Sequence, residues 1–175
     1  MQIKISDGSI YIENAEGVAA SISYDNGFKI TIGKVEMTKP GEYEYGNIAI
    51  KAEDAKLAKT ANINILSVYV DNFTVLLVPD TKDLKPEYDN ALDVADLLFV
   101  TNETGDLKNL ANVVDPKIVF TGKLKKYARA EEEALKSISQ NIQTTKTIKL
   151  KEGELGTASE AAPALAVYIL SLIHI

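Results

Sequence analysis

Isoleucine and its apolar neighbours alternate with polar residues through the first half of the chain, and that alternation predicts strands. Ile3 and Ile5, then Ile10 and Ile12, lie on either side of Asp7-Gly8, a strong two-residue hairpin signal. Val18 to Tyr24 follows. Asp25-Asn26-Gly27 is a second turn, and Phe28, Ile30 and Ile32 resume the period of two. Lys39-Pro40-Gly41 is read as a turn of type II geometry, and Ile48, Ile50 and Ala52 alternate after it. Ile63 to Val70 and Phe73 to Val78 form two more strands around Asp71-Asn72. The second of these is apolar enough to be central and covered on both faces.

Beyond about residue 80 the period changes. Tyr88, Ala91, Leu92 and Ala95 predict a short helix after Pro86, and Leu107, Leu110, Ala111 and Val114 predict another. Asp96 to Val100 and Lys117 to Phe120 are compact buried strands. Leu124, Tyr127, Ala128, Leu135, Ile138 and Ile142 recur at helical spacing, with Glu132 and Lys136 set to pair at i, i+4. Thr147 to Leu150 and Ala164 to Leu172 are closing strands, joined through a connector rich in Gly, Ser and Ala around Gly153 to Pro163. Strands first, then strand alternating with helix, predict sheet layers with helices outside.

Composition sharpens this picture by exclusion. A chain of 175 residues, 46% apolar and 25% charged, is long enough to bury a core without a staple. It has no cysteine and one histidine, His174. Disulfides, thiolate metal sites, cysteine nucleophiles and nearly all imidazole chemistry are thereby removed. Lys and Arg number 7 against 10 acids over residues 1–75 and 12 against 15 over residues 76–175, so each portion carries −3 of the net −6. No basic face is concealed, and no nucleic acid partner is expected. The longest apolar run, Ala164 to Ile173, is far short of a membrane span, so no membrane is expected either. With no signal segment visible, the expected location is cytoplasmic.

Three segments in order carry a resemblance. Lys39-Pro-Gly-Glu-Tyr-Glu-Tyr-Gly46 resembles the PGEYE hairpin of a bacterial and archaeal branch of the metallo-β-lactamase-fold hydrolases. Tyr69 to Asp80 resembles that branch's strand–turn–strand ending in His-Leu-Gly-Asp. Asp115-Pro-Lys-Ile-Val-Phe-Thr-Gly-Lys123 resembles its Pro-Lys-Ile-Val-x-x-x-His segment, and Asp93 to Thr101 sits where the branch has another buried strand. The resemblance covers about residues 39–124 well. It implies an α/β domain of αββα type: a shortened metallo-β-lactamase-like two-layer sheet sandwich with flanking helices. One domain over residues 1–175 is expected, strand-rich to about residue 80 and strand/helix beyond.

The departures from the family pattern concern its chemistry. Nothing in residues 1–60 resembles the His-x-His-x-Asp-His motif that holds zinc in the family. Leu77 stands at the next histidine position and Lys123 at the last, while the bridging aspartate remains as Asp80. One carboxylate cannot hold two zinc ions or lower the pKa of a bound water, so no cofactor, no metal and no catalytic residue are expected. Asp80, Lys123 and Leu77 define a vestigial cleft, in which the Lys123 ammonium is expected to pair with Asp80 in place of zinc.

Other features have plainer readings. Asp80, Asp83, Glu87, Asp89 and Asp93 lack the spacing and glycine of a Ca²⁺ loop and read as a solvated loop. Tyr43 and Tyr45 read as sheet-surface residues that would otherwise line a cleft. Lys123, Lys125, Lys126 and Arg129 form the one basic cluster, with Glu131 to Glu133 beside it. His174 reads as part of a loose tail. Gly105 has none of the residues of a phosphate loop around it. The expected function is a non-catalytic, degenerate protein of this fold with a binding or assembly role, as a homo-oligomer or with a protein partner. Two alternatives stay open: a metal-dependent hydrolase of the same superfamily with an atypical site, and a protein that binds a small anionic ligand in the vestigial cleft.

Overall fold

Asp7 and Gly8 hold φ values of 50° and 74°, and their turn joins β1 (Gln2–Ser6) to β2 (Ser9–Glu13). Two positive φ angles match the right-handed twist of the flanking strands. The structure, a computed structural model, describes residues 1–88, 92–155 and 165–171. The meander continues through β3 (Ala19–Tyr24), β4 (Phe28–Ile32) and β5 (Val35–Met37). Then come β6 (Gly41–Tyr45), β7 (Ile48–Glu53), β8 (Ile65–Val70) and β9 (Phe73–Leu77). The second half contributes β10 (Leu97–Val100), α1 (Leu107–Val114), β11 (Ile118–Gly122) and α2 (Glu132–Lys136). It ends with β12 (Ile142–Thr145), β13 (Thr147–Lys149) and β14 (Ala166–Leu170).

Two sheets result, a six-stranded one in the order β13-β1-β2-β3-β4-β5 and an eight-stranded one in the order β12-β14-β11-β10-β9-β8-β7-β6. The first is antiparallel throughout. The second is antiparallel from β6 to β9 and parallel from β9 to β12. Between the sheets lies one apolar core, where Ile3, Ile12, Ile30, Val68, Phe99 and Phe120 are buried. The sheets approach each other closely at Gly122, where a Cβ would lie 2.2 Å from Ile5 Cδ1. A second core, with Leu76, Leu98 and Val119, lies under α1 and α2 on the other face of the eight-stranded sheet. Strands β9 and β10 are therefore covered on both sides, as their unbroken apolar runs predict.

Four expectations are corrected. The helices form one layer on the eight-stranded sheet, and the αββα arrangement is not met among the described residues. Lys4, Tyr11, Ser21 and Thr31 put a polar face on the outside of the six-stranded sheet, which no described helix covers. The long helix from Leu124 to Ile142 contracts to α2, because the backbone before it is engaged elsewhere. The Leu124 N–H bonds Tyr127 O at 2.9 Å, Asn102 N–H bonds Ala128 O at 3.1 Å, and Ala130 N–H bonds Thr121 Oγ1 at 2.8 Å. Ile142 sits in β12, while Glu132 and Lys136 do pair, at 3.8 Å. Where a helix is expected near Tyr88 to Ala95, the described residues are a 3-10 turn over Pro86–Tyr88 and irregular backbone over 92–95, and Ala95 N–H bonds Val114 O instead of a helical carbonyl. Gly41 has a φ of 157° and opens β6, so the turn before it is not type II at that residue. Positions 89–91, 156–164 and 172–175, with Asp89, His174 and most of the expected connector, lie outside the described residues. No described helix is long and apolar enough to cross a membrane.

Candidate functional site

The parallel strands β9, β10 and β11 end on the same edge of the eight-stranded sheet, and Asp80 lies there just after β9. The loop after β10 fixes its backbone. Thr101 Oγ1 donates to Pro79 O, Thr104 Oγ1 donates to Val78 O at 2.6 Å, and Thr81 N–H donates to Glu103 O at 3.3 Å. Asp80 is then addressed from three sides. The Lys82 N–H donates to Oδ1 at 2.7 Å, Tyr127 OH donates to Oδ2 at 3.3 Å, and Lys56 Nζ sits 3.5 Å from Oδ1. The Lys56 and Asp80 side chains are 12% and 16% exposed, so this pair is largely withdrawn from water. Lys56 Nζ also donates to Lys82 O.

Lys56 comes from the connection between β7 and β8, residues 54–64, which is long for two antiparallel neighbours. Buried Asn64 accepts at Oδ1 from Ala55 N–H at 2.9 Å and from Lys56 N–H at 3.3 Å. Asp54 gathers the other end, accepting from Ala61 N–H at 2.7 Å, Thr60 N–H at 3.0 Å and Thr60 Oγ1 at 3.1 Å. Burial pushes the Asp54 carboxyl up, but the donors from Ala61, Thr60 and Lys56 outweigh it and hold the group below its usual range. Pairing of Lys56 with Leu84, and bonds from Leu57 N–H to Asp83 O at 2.7 Å and from Lys85 N–H to Ala55 O at 2.8 Å, dock this loop beside Asp80.

Tyr24 and Tyr127 close the site from the six-stranded side, their rings 5.3 Å apart. Burial above all pushes the Tyr24 phenol well above its usual range, with Tyr127 and the Asp80 charge adding to it. Tyr127 is raised by burial and then by Asp80. These groups border a pocket of about 370 Å³ that also takes in Asn26, Asn62 and Lys82. Three carboxylates, of Asp25, Asp80 and Asp83, and two ammonium groups, of Lys56 and Lys82, face it.

Of the residues expected in the vestigial cleft, only Asp80 lines this pocket. Leu77 is wholly buried in the core between the sheets. Lys123 is exposed past the end of β11 and forms no ion pair with Asp80, so the expected pairing is corrected: the ammonium beside Asp80 belongs to Lys56. In the basic cluster, Lys126 pairs with Asp25 and donates to Asn26 Oδ1 at 3.3 Å, and Arg129 donates to Ala130 O at 3.3 Å. The acidic run is dispersed, with Asp93 3.5 Å from Lys51 Nζ. Glu87's side chain and Asp89 fall outside the description. Tyr43 OH donates to Lys39 O at 2.6 Å, and Tyr45 is 44% exposed on β6, away from this pocket. Lys56, Asn64, Asp54 and Tyr24 escaped the sequence reading. The length of the connection that carries the first three was the available signal.

Zinc, which the resemblance implies, does not fit this donor set. Among the described residues no group of three or more His, Cys, Asp or Glu side chains is placed to hold a metal ion, and both Asp80 oxygens accept from the protein's own donors. No protein-family model matches the sequence, and no curated protein matches it. A crystal structure from Thermotoga maritima, of a protein assigned as a Zn-dependent hydrolase of the metallo-β-lactamase superfamily, is similar in fold. The TM-score is 0.64 at 14% identity, over 98% of this chain and 99% of that one. The chain has the metallo-β-lactamase fold.

Proposed function

We propose that this protein uses the metallo-β-lactamase fold without its hydrolytic chemistry, as a degenerate, non-catalytic protein kept for binding or assembly. The observation that carries the reading is the Lys56–Asp80 pair. An ammonium 3.5 Å from Oδ1, with the Lys82 amide and the Tyr127 hydroxyl on the same carboxylate, compensates the charge that a metal would otherwise compensate. A metal would have to displace Lys56 and then recruit ligands, with no thiolate in the chain and no imidazole among the described residues.

Stripping the protein with a chelator and titrating Zn²⁺ and Mn²⁺ by calorimetry tests the reading, alongside assays on bis(p-nitrophenyl) phosphate, p-nitrophenyl acetate and nitrocefin. No stoichiometric metal uptake and hydrolysis at the buffer rate are the expected results. One or two tightly bound equivalents together with metal-dependent hydrolysis would overturn it in favour of an atypical hydrolase. The pocket of about 370 Å³ favours a second reading, a binding site for a small polar ligand. Its cations would be Lys56 and Lys82 rather than Lys123, and the three carboxylates facing the pocket disfavour a purely anionic ligand.

A further inference from the structure

Strand β6 is the last strand of the eight-stranded sheet. All five of its residues pair with β7 on one side, and no described strand pairs on the other. Its outer N–H and C=O groups alternate along a free edge, which is a template for one more strand. The helix layer covers the far end of this sheet: α1 and α2 pack with residues of β8 to β12 and β14, and no described helix packs on the outer surface of β6 and β7.

The two faces of this edge differ in chemistry. Glu42 and Glu44 point to the outer face, both exposed, and neither forms an ion pair among the described residues. They flank a groove of about 420 Å³ floored by Ala49, Lys51 and Tyr69. Lys51 is already engaged, 3.7 Å from Glu53 and 3.5 Å from Asp93. Glu53 first, against a small burial penalty, and then Asp93 push its ammonium above the usual range. Four carboxylates therefore face one ammonium. On the inner face, Tyr43 packs on the core. Beside it a small apolar gap of about 80 Å³, bordered by Val35, Met37, Tyr45 and Ile48, opens between β5 and β6.

We infer that β6 is a docking edge for an extended segment of a partner protein that carries a basic–apolar–basic triplet. Residues two apart on an added strand point to the same face, so two Lys or Arg side chains would stand opposite Glu42 and Glu44. Their charges would meet carboxylates that no described cation pairs. The residue between them would point the other way, into the gap beside Tyr43, which has room for one small aliphatic side chain. A second copy is the poorer occupant. A two-fold pairing of β6 with itself sets Glu42 or Glu44 against Glu42 or Glu44 of the other copy in every well-overlapped register. The net charge of −6 points to a basic partner as well. The inference holds whether or not the Asp80 pocket proves catalytic.

The test uses blocked eight-residue peptides centred on Lys-Val-Lys, on Glu-Val-Glu and on Lys-Val-Lys with its backbone amides N-methylated, titrated into the ¹⁵N-labelled 175-residue protein. The Lys-Val-Lys peptide is expected to bind, to shift the β6 amides, and to weaken as salt rises. Affinity should fall at least about tenfold with Glu-Val-Glu, with the N-methylated peptide, and with a Glu42→Lys/Glu44→Lys protein. No binding of Lys-Val-Lys, equal binding of all three peptides, or shifts at the Asp80 pocket instead of β6 would each overturn the proposal. So would a dimer in solution whose β6 amides are protected from exchange, which would give the edge to a second copy. The peptide substitutions leave the protein untouched, so a misfolded variant cannot hide the answer.

Discussion

In the six-stranded sheet each strand buries one face and wets the other. At the rim of the eight-stranded sheet around Asp80, charged groups are drawn out of water and satisfied by one another. Ile3, Ile5, Ile10 and Ile12 are fully buried while Lys4 and Tyr11 between them keep solvent access. Each of those strands follows a rule readable over five residues. Asp80 instead accepts from Tyr127, 47 residues away, and pairs with Lys56 on the connection between β7 and β8. The sheet tolerates change wherever its wet face is touched. The rim depends on partners that must all arrive together.

The largest effect expected is in the core that both sheets share. Phe99 is fully buried with the Phe120 ring 5.2 Å away, and Phe99→Ala should cost about 3–5 kcal/mol in urea unfolding. Ser21→Ala, on the wet face of β3, should stay within about 0.5 kcal/mol. Comparable costs for the two would mean that the sandwich does not depend on its inner faces.

Next comes the rim. Lys56→Met removes the ammonium from Asp80 while Lys82 N–H and Tyr127 OH continue to donate, so a loss of about 1–2 kcal/mol is expected. Asp80→Asn placed in the same chain should recover part of that loss, because the uncompensated charge is then gone. A double-mutant cycle by chemical denaturation measures the coupling. Strict additivity would show that the two side chains are neighbours without being a pair.

The same contrast explains what was legible in the sequence. Period-two isoleucines around Asp7-Gly8 placed β1, β2 and the turn between them, and the apolar run before Pro79 marked β9 as doubly covered. The resemblance placed Asp80 at the end of that strand, where it lies. Tyr127 looked helical because its apolar neighbours fall at helical spacing. The bonds from Leu124 to Tyr127 and from Asn102 to Ala128 override that propensity. Lys56 was out of reach because a lysine in a polar loop reads as solvated until the loop's docking on residues 83–85 is known. The exposed Lys123 was chosen by position in a motif, and no local pattern could reveal that another lysine had arrived first.

A smaller effect should separate rim from sheet at alkaline pH. The Tyr24 phenol is raised in the folded chain, so its neutral form is favoured there. Its contribution is complete below the unfolded value near 10 and declines as pH rises above that. The wild-type urea midpoint should fall between about pH 9 and 11, and Tyr24→Phe should flatten that fall. The slope carries the information, since Phe also removes a buried hydroxyl beside Tyr127 and shifts the baseline. An unchanged slope would assign the alkaline transition to other groups, Tyr127 first among them.

The smallest effect concerns the loop that delivers Lys56. Asp54 has a depressed pKa when folded, so its contribution is present above the unfolded value near 4 and disappears as pH falls through the folded one. Asp54→Asn keeps an oxygen for Ala61 N–H and Thr60 and removes the charge, so at neutral pH it should cost below about 1 kcal/mol, with solvent screening keeping it small. The gap between wild type and variant should close as pH drops below about 4, where the wild-type carboxylate becomes neutral too. Urea midpoints at neutral pH and on either side of that value measure it, and amide exchange at Ala61 reports the loop directly. A gap that persists in acid would mean that the hydrogen-bond geometry alone, and not the carboxylate's charge, organises the loop. In that case Lys56 should still reach Asp80 in the variant, and the Lys56→Met cost should be the same in both backgrounds.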